Sequence, residues 1–456
     1  MLGVYIDFTG AFDHLCWDSI LAKLDAIGCV ELPLWRSYFR SRKVTLDGDN
    51  SRLTKLVKRG CPQGSKCGPV LWNLLVNDLL LDLENGGINL VAFADDLTLL
   101  LEGNSRLELE TQGNRCLHLC SEWGARVGVS VSEKKTECML LKGSLSLNRP
   151  PNIRLNGRCI KYAKRVKHLG IMVGERMTFK PHFDYMRGKI LGLVGSFRRV
   201  LKKEWGLGKK IFRVIYKGLF VACMSYGASI WFRSLRLKYA RNALNSCQRH
   251  ILYCAMNVCR TTSTDAMQVL YGELPWDLEA PRRGLLTEFR KGIAPVDGDP
   301  ITNEVLVGLN VRECKALIEA QMFELWQRRW DESPNGRLTH EFIADVQFVR
   351  THGGFNPDLH LNYLLTGHGS MNEFLYKRGL CHTSQCMCGA PVEDAKHIIG
   401  ECVLYHDVRN LNACGLRYVS GVLKVDGALE TIETYQELSQ FATTAFTRRR
   451  ELLNME

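Results

Sequence analysis

The first third of the chain alternates short apolar runs with longer amphipathic ones. An apolar strand is expected at Leu2 to Ile6, a helix over Trp17 to Ile27 and a second over Val70 to Leu83. A hairpin at Leu90 to Leu101 follows, then a helix near Leu107 to Val127 and a strand at Glu137 to Leu141. Strands interleaved with helices in this order over residues 1–142 suggest a sheet backed by helices. The segment Ser144 to Pro151 is polar and ends in Pro150-Pro151, a break between units. Short strands return from Arg154 to Gly174. The period turns helical from Phe183 to Leu252, and residues 280–345 read as mainly helical, with Glu304 to Trp330 the strongest helix. Residues 346–456 carry a compact Cys/His cluster and then a charged, helical tail.

Chemistry concentrates where apolar runs stop on acids. Phe93-Ala94-Asp95-Asp96 stands between Ile88–Val91 and Leu97–Leu101, so two adjacent carboxylates occupy the turn of a hairpin whose strands are expected to be buried. Buried acids are costly without a compensating positive charge, and a divalent metal supplies one. Asp7, in Val4-Tyr5-Ile6-Asp7-Phe8-Thr9-Gly10-Ala11-Phe12-Asp13, ends the first apolar strand and is expected to join Asp95. Such a pair suits two hard cations and in-line nucleotidyl transfer. Either acidic segment alone reads equally as a helix cap or a polar turn.

Composition narrows the setting. The 456 residues are too many for one compact core, and 46% hydrophobic with 24% charged residues is ordinary for a folded protein. The net charge of +12 is local, because Arg154 to Lys217 holds 18 Lys or Arg against 3 acids. Arg198, Arg199, Lys202, Lys203, Lys209 and Lys210 recur there among Ile190, Leu193, Val194, Phe197 and Leu201. A helix with that spacing buries one face and offers another to phosphates, and the alternative of a merely solvated charged face fits less well at this charge density. The 18 cysteines are scattered, which favours reduced thiols, and no apolar run is long enough for a membrane helix. Cys386, Cys388, His397 and Cys402 give three thiols and an imidazole, enough for a closed Zn²⁺ site. Cys381, His382 and His406 are nearby alternates, and chance clustering in a cysteine-rich chain is the competing explanation.

Five motifs in order resemble the reverse transcriptase of non-LTR (LINE-type, type I) retrotransposons, nearest the arthropod elements that insert into ribosomal DNA. They are Asp7 to Asp13; Arg59-Gly60-Cys61-Pro62-Gln63-Gly64-Ser65-Lys66-Cys67-Gly68-Pro69 with Leu71-Trp72-Asn73; Phe93 to Asp96; Gly128 to Thr136; and His168-Leu169-Gly170. The resemblance implies an α+β right-hand polymerase lacking most of the fingers: a ferredoxin-like palm of antiparallel sheet backed by helices over 1–150, a primer-grip hairpin over 151–182 and a helical thumb over 183–290. A helical connector over 291–370, a Cys-Cys-His-Cys knuckle over 371–410 and a tail over 411–456 complete it. Under it Asp7 and Asp95 hold two Mg²⁺ ions, with Asp96 beside them as a weaker or structural ligand. Phe8, Phe12, Gln63, Gly64 and Lys66 face the nucleotide and template, and Phe12 selects deoxynucleotides unless it is a plain core aromatic. Gly60, Gly64 and Gly68 let the backbone pass close to the nucleotide. Lys135 is a candidate general acid for pyrophosphate, an exposed charge being the alternative, and His168, Leu169 and Gly170 grip the primer end. Ala94 and Phe12 set the pattern apart from RNA-dependent RNA polymerases. Gly68 and His168 depart from the family's usual Ser and Tyr without removing a metal ligand.

The implied partners are an RNA template, a DNA primer or target and deoxynucleoside triphosphates, with no membrane. The implied setting is synthesis in the cytoplasm and action in the nucleus. The family's finger motifs and apurinic-type endonuclease have no counterpart before Met1, so the chain reads as the carboxy-terminal portion of a polyprotein. The competing functional expectation is a nucleic-acid-binding remnant that turns over nothing.

Overall fold

The computed structural model describes residues 1–48, 52–62, 64–143, 149–200, 209–352 and 355–454. The chain divides into two compact units, Met1–His182 and Phe183–Glu456.

In the first unit β1 (Leu2–Ile6) is central. It pairs antiparallel with β3 (Asp96–Leu101) on one side and β4 (Glu137–Leu140) on the other. The edges are β2 (Asn89–Phe93), antiparallel to β3, and the short β5 (Lys161–Tyr162), parallel to β4. Alternation sorts the two faces. Leu2, Val4 and Ile6 with Leu97, Leu99 and Leu101 bury one face in the same core as Leu71, Leu75 and Leu79 of α2 (Gly68–Asn85) and Leu117 and Cys120 of α3 (Arg106–Val127). Each such side chain contributes about 1.5–3 kcal/mol by leaving water. The other face carries Tyr5, Leu100, Met139 and Leu141. A hairpin of β6 (Arg165–His168) and β7 (Ile171–Gly174) covers it through Val166 and Val173. Gly3 sits close beneath Leu141: a Cβ there would lie 2.9 Å from Leu141 Cδ1, so that side chain would have to shift.

The expected strands and helices of this unit appear within about two residues of their predicted ends, with α1 at Trp17–Ala26. Two expectations need correction. The strand before the acids is not buried: β2 is an edge strand, and Val91 and Phe93 are 50% and 64% exposed. A hairpin of Lys43–Asp47 and Arg52–Leu56, exposed along both strands, falls where no element was expected.

The second unit is helical. Its longer members are α4 (Lys180–Val200, which begins in the first unit), α5 (Lys209–Ile215), α6 (Lys238–Ala255), α7 (Thr264–Tyr271), α8 (Trp276–Arg290) and α9 (Val311–Glu332). The helix expected from Glu304 starts later, at Val311, because Asn310 and Glu313 form a capping box there. The charged tail is no tail: α10 (Ile432–Leu453) buries Leu438, Phe441, Ala442, Ala445 and Phe446 on one stripe. No disulfide joins any of the 18 cysteines. No single helix among the described residues is long and apolar enough to cross a membrane.

Candidate active site and metal centres

Asp7 stands where the first strand changes partner. Residues 2–5 pair with β4, whereas Phe8–Thr9 pair with Ser130–Val131. The intervening loop folds over Asp7. Ser132 N–H donates to the Asp7 carbonyl at 2.8 Å, and the Asp7 N–H reaches Thr136 Oγ1 at 3.4 Å. Lys135, in that loop and largely exposed, brings Nζ to 3.5 Å from Asp7 Oδ2. That carboxylate oxygen is buried and accepts no hydrogen bond.

The β1–β3 register ends at Ile6 opposite Leu97, so continuing it by one residue sets Asp7 opposite Asp96 on the face of Tyr5. Phe93 pairs with Asp96, leaving Ala94-Asp95 as a two-residue turn with Ala94 at φ 52°. Glycine ordinarily takes that position, and the strain is held by Trp72, whose Nε1–H donates to the Ala94 carbonyl at 2.7 Å. Asp95 and Asp96 are exposed, so their cost is not the burial expected from sequence. Partial burial first, then Asp95, and more weakly Asp7 hold the Asp96 carboxyl above its ordinary range, with His168 opposing. A carboxyl raised by its acidic neighbours, beside a buried carboxylate oxygen that accepts no hydrogen bond, fits hard cations with oxygen preference.

The remaining expected residues divide. His168 closes the β6–β7 hairpin with its ring 5.5 Å from Tyr5, and burial lowers its pKa although Asp96 pulls it back up. Leu169 and Gly170 are the turn itself, both at positive φ. Phe12 is half-buried, 5.7 Å from the Trp72 ring. Phe8 is in the core, edge-on to Trp72 and Trp123, so its ring meets no substrate surface. Lys66 and Gly64 are exposed, and Gln63 lies outside the described residues. Gly60 serves a different closeness from the one expected: a Cβ there would lie 2.5 Å from the Asp13 carbonyl, and Cys61 N–H bonds Phe12 O at 2.7 Å, which joins the second motif to the first. Arg198, Arg199, Lys209 and Lys210 lie on helices, but their side chains, with all of Lys202 and Lys203, lie outside the described residues.

Sequence reading missed Trp72 as more than a motif letter. It also missed Thr136, which is fully buried beneath Asp7.

In the second unit the ligand atoms of Cys386, Cys388, His397 and Cys402 all lie within 4.8 Å of one another, a group able to hold a metal ion. Gly389 at φ 93° closes the turn in which its N–H bonds the Cys386 carbonyl, and Cys388 Sγ sits 3.3 Å from His397 Nε2. His397 Nδ1 faces Glu401 at 3.5 Å. Burial pushes the Cys386 thiol up. At Cys388 the Ala390 N–H and the neighbouring ligands overcome burial and hold the thiol down at about 7. Behind Cys386, 3.8 Å from its sulfur, Glu393 is fully buried and held by Arg449 of α10 at 3.0 and 2.7 Å. The alternates Cys381, His382 and His406 are not in the group.

Residues 2–173 match the family model described as reverse transcriptase (RNA-dependent DNA polymerase). A retrovirus-related Pol polyprotein from type-1 retrotransposable element R1 of Bradysia coprophila is 59% identical over 99% of this chain and 45% of its own length. Its counterpart R1 2 from Nasonia vitripennis is 40% identical over 87% of this chain and 99% of its own length. A putative 115 kDa protein in element R1DM of Drosophila melanogaster is 40% identical over 99% of this chain and 44% of its own. The chain thus spans under half the length of the Bradysia and Drosophila relatives.

Proposed function

From a chain that belongs to the Pol polyproteins of type-1 retrotransposable element R1, we propose the polymerising part of an RNA-directed DNA polymerase that copies element RNA onto a primer at nicked target DNA. The observation that carries this is the meeting of three carboxylates and a lysine: Asp7 ends β1, Asp95 and Asp96 form the hairpin tip, and Lys135 reaches Asp7. In this reading Asp7, Asp95 and Asp96 hold two Mg²⁺ ions. Bound there, the metals supply Lewis-acid activation of the primer 3′-hydroxyl and neutralise the leaving pyrophosphate. The chain's own residues do the rest. Lys135, released from Asp7, is placed to donate a proton to pyrophosphate. Phe12, braced by Trp72, closes the space a 2′-hydroxyl would need, and the His168–Gly170 turn sits beside the acids where a primer end belongs.

The first unit is then the palm with its primer-grip hairpin, and α4 and the helices after it form thumb and connector. Cys386, Cys388, His397 and Cys402 form a Zn²⁺ knuckle that contacts nucleic acid. The site of action is the nucleus.

Primer extension tests this. The chain, and the longer polyprotein containing it, are given Mg²⁺, a primed RNA template and deoxynucleotides. Extension is expected from the polyprotein, with a loss of about a thousandfold or more in Asp95→Asn and little change in template affinity. Equal extension by wild type and variant removes the catalytic assignment and leaves a binding protein.

A further inference from the structure

The sheet pairs of β1 end one residue before Asp7, and a side chain takes over from the ladder there. β1 leaves β4 after the Tyr5–Glu137 pair, and its register against β3 ends at Ile6. The residues just ahead of β4 close a turn, Ser132–Thr136, in which the Thr136 N–H donates to the Ser132 carbonyl at 2.9 Å. Both backbone groups of Asp7 go to that turn. Its carbonyl accepts from the Ser132 N–H at 2.8 Å, and its N–H donates to the Thr136 hydroxyl at 3.4 Å. Backbone pairing resumes directly afterwards, Phe8–Thr9 against Ser130–Val131. The Thr136 hydroxyl thus stands where a strand carbonyl would otherwise accept, and Thr136 is fully buried, so water does not compete for the bond.

The Asp7 carboxylate has little else to fix it. Oδ2 is buried and accepts no hydrogen bond, and the Lys135 ammonium 3.5 Å away belongs to a largely exposed side chain. An aspartate carries its carboxylate on a short arm, so the backbone sets where the oxygens lie. A small displacement of a metal ligand is felt strongly, and groups that orient ligands without touching the metal are worth about 10–100-fold in affinity or activity.

We propose that Thr136 is a positioning residue for the carboxylate site: by holding the Asp7 N–H it aims the Asp7 carboxylate at the cation shared with Asp95. This rests on the two-metal reading above and adds to it a group that meets neither metal nor nucleotide. Mn²⁺ binding to the full chain, followed by electron paramagnetic resonance of the free ion, reads the site without turnover. Thr136→Val keeps the shape and loses the acceptor, whereas Thr136→Ser keeps the acceptor and loses a methyl group. Valine should weaken Mn²⁺ binding about tenfold, and serine less than about twofold. In the longer polyprotein, valine should lower kcat for primer extension about tenfold with the KM for primed template unchanged, and serine should restore it. Affinity that merely follows the melting temperature in both variants would be a packing effect and overturns the proposal. If valine does not fold, Thr136→Ser against Thr136→Ala makes the same comparison, since those two differ only in the hydroxyl. Lys135→Gln removes a competing cation and should not weaken Mn²⁺ binding; a loss matching that of valine traces the effect to the lysine and overturns the assignment. Asp95→Asn keeps the two readings apart. Mn²⁺ binding that falls in Asp95→Asn but not in Thr136→Val overturns the role of Thr136 and leaves the metal site standing. Binding indifferent to both overturns the metal reading and the proposal with it.

Discussion

The two acid- and thiol-bearing centres are built on opposite plans. At the carboxylate site the acids are exposed or half-buried, one oxygen of Asp7 has no hydrogen bond, and the Lys135 ammonium at 3.5 Å is largely exposed. At the thiol centre four ligands from a tight turn and a π-helical segment converge within 4.8 Å, and a buried carboxylate stands behind with its own buried arginine. An open site leaves coordination positions for substrate; a closed one spends them all on protein. The first gives up stability to keep its acids available, and the second invests in it.

Removing metal from the closed centre should therefore have the largest effect. Structural Zn²⁺ in such sets is worth about 10–16 kcal/mol of folding free energy. Metal analysis after mild dialysis is expected to find one zinc per chain, absent in a Cys386→Ser/Cys388→Ser variant, whose second unit should melt far earlier. A metal-free chain with unchanged melting would break the comparison. Extended dialysis of Mg²⁺ should leave the first unit folded.

Next comes the support behind the thiols. Arg449→Ala leaves Glu393 buried and unpaired, at a cost of about 3–5 kcal/mol, read as a shifted denaturant midpoint. Arg449→Met with Glu393→Gln should recover much of it, because no charge is then stranded. If the single variant is neutral, α10 does not brace the thiol centre.

This arginine also marks the limit of sequence reading. The acids were legible because the apolar runs that become β1 and β3 are each bounded by aspartate, which pointed Asp7 to Asp95, whereas the register sets it opposite Asp96. The edge status of β2 was not, because Ile88–Val91 looks the same whether or not another strand covers it. The Trp72–Ala94 bond joins residues 22 apart on a helix and a turn, and no periodicity signals it. The last helix was legible in principle. Leu438, Phe441, Ala442, Ala445 and Phe446 keep helical spacing among the uncharged Ser439, Gln440, Thr443 and Thr444, so the helix was read but the burial of its stripe was not, and the partner of Arg449, 56 residues away, is set by packing alone.

Trp72→Phe probes the open site at smaller scale. The ring stays in the core beside Phe8 and Phe12, while the bond that holds Ala94 at positive φ is lost, for about 1 kcal/mol and a several-fold drop in extension rate. A rate unchanged within error would mean that the tip keeps its shape without the indole.

The smallest effect has the opposite sign, and so separates the two plans most cleanly. The Asp96 carboxyl is raised in the folded chain by burial, Asp95 and Asp7. A folded state that holds its proton more tightly than the unfolded one is most stable below the unfolded carboxylate pKa and loses that contribution as pH rises through the folded pKa. Without metal, Asp96→Asn should then stabilise the chain at about pH 7 and do nothing at about pH 3, by less than ~1 kcal/mol because solvent screens an exposed acid. Urea midpoints at the two pH values measure it, and Mg²⁺ should stabilise wild type more than the variant. An equal gain at both pH values would trace the effect to the amide itself, and the carboxylates would then carry no stored repulsion for a cation to relieve.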